Sequence, residues 1–133
     1  MSTTTGDLTF ILDELVRTPH TLRAVLLTAD GMRTAATNCD KDLGDTISAG
    51  VSGLQSLVRG AAPFADCEGP GNLTLVQYPQ GGMILVMAAG QGSHLAVSAS
   101  GEADVAEVSY AMETTVQRLG SHLDVAPRTE SGV

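Results

Sequence analysis

The sequence predicts an α+β fold: an antiparallel five-stranded sheet with helices on both faces, in the order α-β-β-α-β-β-β-α. Three observations carry this. The hydrophobic period switches between the helical 3.6 and the extended 2 along a chain of 133 residues. The strand-like runs in each group are joined by connections short enough for hairpins, and hairpins force antiparallel pairing. The runs at 22–27 and 83–89 are apolar at nearly every position. A sheet with one wet face alternates instead, so both faces of this one need cover.

Between Asp7 and Thr18, Leu8, Ile11, Leu12, Leu15 and Val16 recur at helical spacing. They make one apolar stripe, with Asp7 placed to cap the helix and Pro19 just beyond its end. A β-rich run follows from Leu22 to Ala29. Asp30-Gly31 then reads as a two-residue hairpin turn with positive φ at both positions, returning through Met32 to Thr37.

A second helix is expected over Asp40 to Ala62, with Asp40, Asp42 and Asp45 in a first turn that suits the helix dipole. Leu43, Ile47, Val51, Leu54 and Val58 form its apolar stripe, joined by Leu57 and Ala61, and Pro63 ends it. Strands are expected at Asn72 to Tyr78, Met83 to Ala89 and His94 to Ala99. Glu102 to Leu123 closes the fold as a helix, with Arg118 and His122 near its end. Residues 1–6 and 124–133 lack periodicity and are expected as flexible tails around a single domain at 7–123.

Composition narrows the function classes. Fifteen acidic residues stand against seven basic ones, a net charge of -8, and Lys41 is the one lysine. Phosphate neutralisation needs clustered Lys and Arg, so nucleic acid is not an expected partner, and neither is an anionic lipid surface. The longest apolar runs are far shorter than the roughly 20 residues that span a bilayer. Two cysteines, Cys39 and Cys67, make neither a disulfide framework nor a zinc set. A cytoplasmic protein without direct membrane insertion is expected.

The search for chemistry yields no catalytic, cofactor-binding or metal-ligating residues. His20, His94 and His122 stand at no metal-ligand spacing. Gly90-Gln91-Gly92 has the opening glycines of a dinucleotide fingerprint, but a strand follows where a helix is required. There is no GxxxxGK[ST] loop for a nucleotide phosphate. Asp13-Glu14 and Asp40/Asp42 read as solvated helix positions. Cys39 precedes a helix start, yet Asp40 and Asp42 oppose any lowering of its pKa, which leaves an inert thiol. No enzyme is expected.

The unusual feature is the second helix, which carries Gly44, Gly50, Gly53 and Gly60 in its span. Each interior glycine costs a helix about 0.5–1 kcal/mol relative to alanine, so close packing should compensate. Two accounts fit: the helix lies close on its own sheet, or it packs against its twin across a two-fold axis. On the second account the polar face, Ser48, Ser52, Gln55, Ser56 and Arg59, is open to a partner. Arg59 suits either an interface hot spot or the helix's negative end. The strand Asn72 to Tyr78, if at a sheet edge, is too apolar to be left bare. Pairing with its copy would cover it, with Gln77 and Tyr78 near the seam.

The order of elements, with LDELV in the first helix, AVLLTADGM across the first hairpin and SGLQSLVRGAA in the second helix, resembles the roadblock / dynein light chain family. It is similar above all to small bacterial roadblock proteins associated with a Ras-like GTPase and a sensor-kinase-like protein. The resemblance spans roughly residues 7 to 123. It implies a roadblock-like homodimer built on the second helix and third strand, through Ile47, Gly50, Val51, Gly53, Leu54, Leu57, Leu73, Leu75, Gln77 and Tyr78. It further implies a Ras-like small GTPase on the face carrying Ser48, Ser52, Gln55, Ser56 and Arg59. The function expected is a non-catalytic regulator or scaffold that modulates the GTPase's nucleotide cycle or localisation. The alternative is a small-ligand-sensing or general protein-interaction domain.

Overall fold

In the computed structural model, residues 2–90 and 92–131 are described, with side chains over 8–90 and 92–121. The order is α1 (Ser2–Leu15), β1 (Thr21–Thr28), β2 (Arg33–Thr37), α2 (Lys41–Ala61), a 3-10 turn (Ala62–Ala65), β3 (Thr74–Gln77), β4 (Met83–Ala88), β5 (Ser93–Ala99) and α3 (Val105–Ser131). The expected α+β order is therefore the observed one. Every strand pairs antiparallel with its neighbours in the spatial order β2-β1-β5-β4-β3, so β2 and β3 are the edges.

Several boundaries differ from expectation. The first helix begins at Ser2, and the last runs to Ser131, so helix occupies positions expected as tails. The Asp7 side chain, expected as a cap, lies outside the described residues, as do those of His122 and Leu123. His122 consequently no longer stands near a helix end. Asp104 opens α3 instead: its carboxylate accepts from the Ala106 N–H at 2.9 Å, and its carbonyl accepts from Val108.

The β1–β2 turn also needs correction. Thr28 N–H bonds the Met32 carbonyl and Gly31 N–H bonds that of Thr28, both at 2.9 Å, which encloses three residues, Ala29, Asp30 and Gly31. Only Gly31 takes a positive φ, +92°. Asp30 needs none, because its carboxylate accepts the Thr28 hydroxyl inside the loop. Three-residue hairpins of this kind pair a tight turn with one left-handed residue.

Alternation across the strands builds two cores. On one face Ala24, Leu26, Leu85, Leu95 and Val97 meet Leu8, Ile11, Leu12 and Leu15 of α1 and Val108, Met112 and Leu119 of α3. Polar ties flank this layer. Asp13 accepts the Thr37 hydroxyl, and Glu14 pairs with Arg118, so the acidic pair expected to be merely solvated joins α1 to β2 and to α3. On the other face Val25, Leu27, Val86 and Ala96 meet α2 through Val51, with Ile47 and Leu54 alongside. Helix cover on both faces is what the continuous apolar strands required.

Leu26 is fully buried at the centre of the larger core. Leu26→Ala should lower the unfolding free energy by about 2–5 kcal/mol, read from a urea midpoint shift at unchanged slope.

Candidate interaction face

The second helix starts on its cap. The Asp40 carboxylate accepts the Leu43 N–H at 2.8 Å. Asp45 then draws together Arg33 of β2, at 2.9 Å, and Lys41, at 3.0 Å. Hydrogen bonds from Lys41 first and Arg33 second hold the Asp45 carboxyl below its ordinary range. This anchors the start of α2 over the β2 edge.

The face that α2 turns to its own sheet is Gly44, Ser48, Val51 and Gln55, at spacings of four, three and four. Ser48 is 0% exposed, and its hydroxyl donates to the Gly44 carbonyl at 2.8 Å. The Gln55 Oε1 accepts the Thr74 hydroxyl at 3.1 Å, tying the helix to β3. Ser48 and Gln55 therefore do not stand on an open polar face as expected. Val51, expected in the dimer seam, is likewise buried within the chain. Ser52 is half-buried and donates to the Ala29 carbonyl at 2.6 Å, while Ser56 and Arg59 are exposed.

The expected apolar stripe does not coincide with the buried one: of Leu43, Ile47, Val51, Leu54 and Val58 only Val51 is fully buried. Leu43, Ile47, Gly50, Leu54 and Leu57 run along the helix flank, where Leu57 is 72% exposed. Cβ atoms built on Gly50, Gly53 or Gly60 would meet nothing within 4 Å. Close packing on the chain's own sheet therefore does not account for these three glycines. Gly44 differs, since a Cβ there would lie 2.7 Å from the Arg33 side chain.

Beside this flank part of the sheet is bare. Leu43 and Ile47 face Ile84, Ala96 and Ser98 across an apolar trough of about 180 Å³. Past it, β3 pairs only with β4, and Leu73, Leu75 and Tyr78 are 37%, 39% and 49% exposed, with Gln77 exposed between them. The strand is four residues long, shorter than expected. Phe64, in the 3-10 turn that prolongs α2, is 97% exposed. Sequence reading missed Phe64 because Pro63 marks only the helix end, and it missed Ile84 because a continuously apolar strand shows no outward face.

Among the described residues no group of histidine, cysteine and carboxylate side chains is placed to hold a metal ion, and no helix is long and apolar enough to cross a membrane. Cys39 and Cys67 are free thiols. Burial, with Asp40 second, pushes the Cys39 pKa up, away from thiolate chemistry. The arrangement is a sheet and helix presenting apolar surface, which defines an interaction domain.

Comparison with known proteins agrees. The Roadblock/LC7 domain pattern matches residues 8–99, and the chain belongs to that family. It is 37% identical to a Roadblock/LC7 domain from Streptomyces avermitilis, over 86% of this chain and 96% of that one, with a TM-score of 0.81. The gliding protein MglB from Thermus thermophilus shares the fold at 17% identity, covering 90% of each chain, TM-score 0.79. A structure described as MglB with tetrameric arrangement does so at 16% identity and 92% of each chain, TM-score 0.83. No curated protein sequence matches. The chain is thus a small regulatory protein-interaction domain of the Roadblock/LC7 type.

Gln55→Ala removes the polar link between α2 and β3. It should lower stability by about 1 kcal/mol in urea denaturation, since the Thr74 hydroxyl is only half-buried and regains water.

Proposed function

We propose that this domain acts as a homodimeric, non-catalytic platform for a Ras-like small GTPase in the bacterial cytoplasm, modulating its nucleotide cycle or localisation. The observation that carries the dimer is the flank of α2. Exposed leucines and three glycines with open Cβ positions border a bare apolar trough. A second copy of α2, carrying the same flank, is self-complementary to that trough about a two-fold axis. The edge strand β3 supports the same reading. Its Leu73, Leu75, Gln77 and Tyr78 would meet their copies and continue the sheet across the seam. The MglB structure's tetrameric arrangement is a precedent for self-association on this fold.

The GTPase rests on the family resemblance, and a sensor-kinase-like protein enters only that way. Of the residues expected to meet a partner, Ser56 and Arg59 are exposed, with Ser52 beside them. The net charge of -8 favours a partner with a basic surface, because complementary charge raises the rate of encounter.

Light scattering at micromolar concentration should report a dimer, and a monomer would remove the proposal. Gly53→Leu leaves the chain's own packing untouched and should convert dimer to monomer; a dimer that survives would move the interface elsewhere. The GTPase is tested separately, by co-purification with a Ras-like GTPase loaded with GDP or a GTP analogue, followed by hydrolysis rates. Binding in at least one state is expected, and none in either would refute that part alone.

A further inference from the structure

Under the C-terminal half of α2 lies a second cavity, of about 110 Å³, closed by the end of β1, the start of β5 and the loop before β3. That is several times the ~10–15 Å³ one water requires. Its polar lining comes from Ser52, Gln55, Ser56 and Arg59 of α2 and His94 of β5, and the Ser52 hydroxyl is already given to the Ala29 carbonyl. No carboxylate lines it, in a chain with fifteen acidic residues.

The other donors here are unspent. Arg59 makes no ion pair or hydrogen bond among the described residues. The Gln55 amide nitrogen is uncommitted, since only its oxygen bonds Thr74. The Ser56 hydroxyl has no partner among the described residues. His94 Nδ1 is shielded from water and equally unpartnered. Burial, with the Arg59 charge second, lowers the His94 pKa. A guanidinium, an amide N–H, a hydroxyl and an imidazole around one cavity, with no acceptor charge among them, match the bonding needs of one group.

We infer that the Arg59–His94 cavity is a binding site for a small oxyanion, a phosphate or carboxylate held by Arg59, Gln55, Ser56 and His94. The planar guanidinium gives such an anion paired, charge-assisted bonds. The C-terminal end of α2 opposes with about half a negative charge, which weakens the site. The site stands within one chain, although Ser56 and Arg59 also belong to the face proposed for the GTPase.

The test is a ¹H–¹⁵N NMR titration of the full chain with inorganic phosphate, against sodium chloride at matched ionic strength. Sodium acetate in a second series distinguishes a carboxylate from a phosphate preference. Saturable shifts centred on Gln55, Ser56, Arg59 and His94 are expected. Arg59→Gln should weaken binding by about tenfold or more with the rest of the spectrum unchanged. Ser56→Ala, which carries no fold risk at an exposed position, should weaken it several-fold. Shifts that match the chloride series, that saturate elsewhere, or that persist unchanged in Arg59→Gln would overturn the site.

Discussion

Width governs this molecule. Five strands at roughly 4.8 Å each span about 24 Å, whereas one helix with its side chains covers about 10 Å. Two helices, α1 and α3, cover most of one face, and there the core closes around Leu12, Leu26, Leu85 and Met112, leaving only edge residues such as Leu75, in register with Leu85, partly exposed. The other face has α2 alone, seated on β1 and β2. Beyond them β5 and β4 still reach α2 through Ala96 and Val86, but Ile84 of β4 and Val76 of β3 are half-exposed on that side where Leu85 on the other is not. An exposed apolar strip is thus a consequence of strand and helix number before any particular residue is considered.

Position of α2 follows from its anchors. Asp45 holds Arg33 and Lys41 at one end, and Ser52 reaches the Ala29 carbonyl further along. Between them Gly44 and Ser48 present so little side chain that the helix settles near β1 and β2. Gly31 assists, since a Cβ there would lie 3.4 Å from the Ala49 Cα. The larger residues are then displaced onto the flank. The two sheet edges differ in the same spirit. β2 carries Arg33 and Thr37, both engaged by carboxylates of the helices, while β3 offers leucine and tyrosine to solvent. A charged, engaged edge resists strand addition, and an apolar one invites it.

Most of the fold was legible because it is written locally. Element order, the Asp40 helix start and the doubly covered strands all follow from periodicity and turn residues. What was not legible is which side of α2 faces inward. An apolar stripe looks the same whether it meets its own sheet or another surface, and here the inward stripe is the mixed one, Gly44, Ser48, Val51 and Gln55. Serine and glutamine read as exposed until their partners, Gly44 and Thr74, are known, and the Thr74 contact joins residues nineteen apart. The Asp30-Gly31 turn was off by one residue because an aspartate that can bond its own loop needs no left-handed backbone. The Arg59–His94 cavity was beyond reach for the same reason as the Thr74 contact: a helix, a strand and a loop supply it from distant parts of the chain.

The glycines of α2 connect these points energetically. Gly50, Gly53 and Gly60 each cost the helix about 0.5–1 kcal/mol relative to alanine, or about 1.5–3 kcal/mol together. Nothing within the chain touches the space where their Cβ atoms would stand, so intramolecular packing returns little of that cost. Set against a typical domain stability of about 5–15 kcal/mol, it is a substantial fraction, concentrated in one element. Any surface that covers this flank and binds only the folded chain raises stability by mass action. A partner on that flank, as proposed above, would couple assembly to folding at α2. The half-covered sheet, the displaced leucines and the glycines are parts of one constraint, a helix that covers its sheet with one side only.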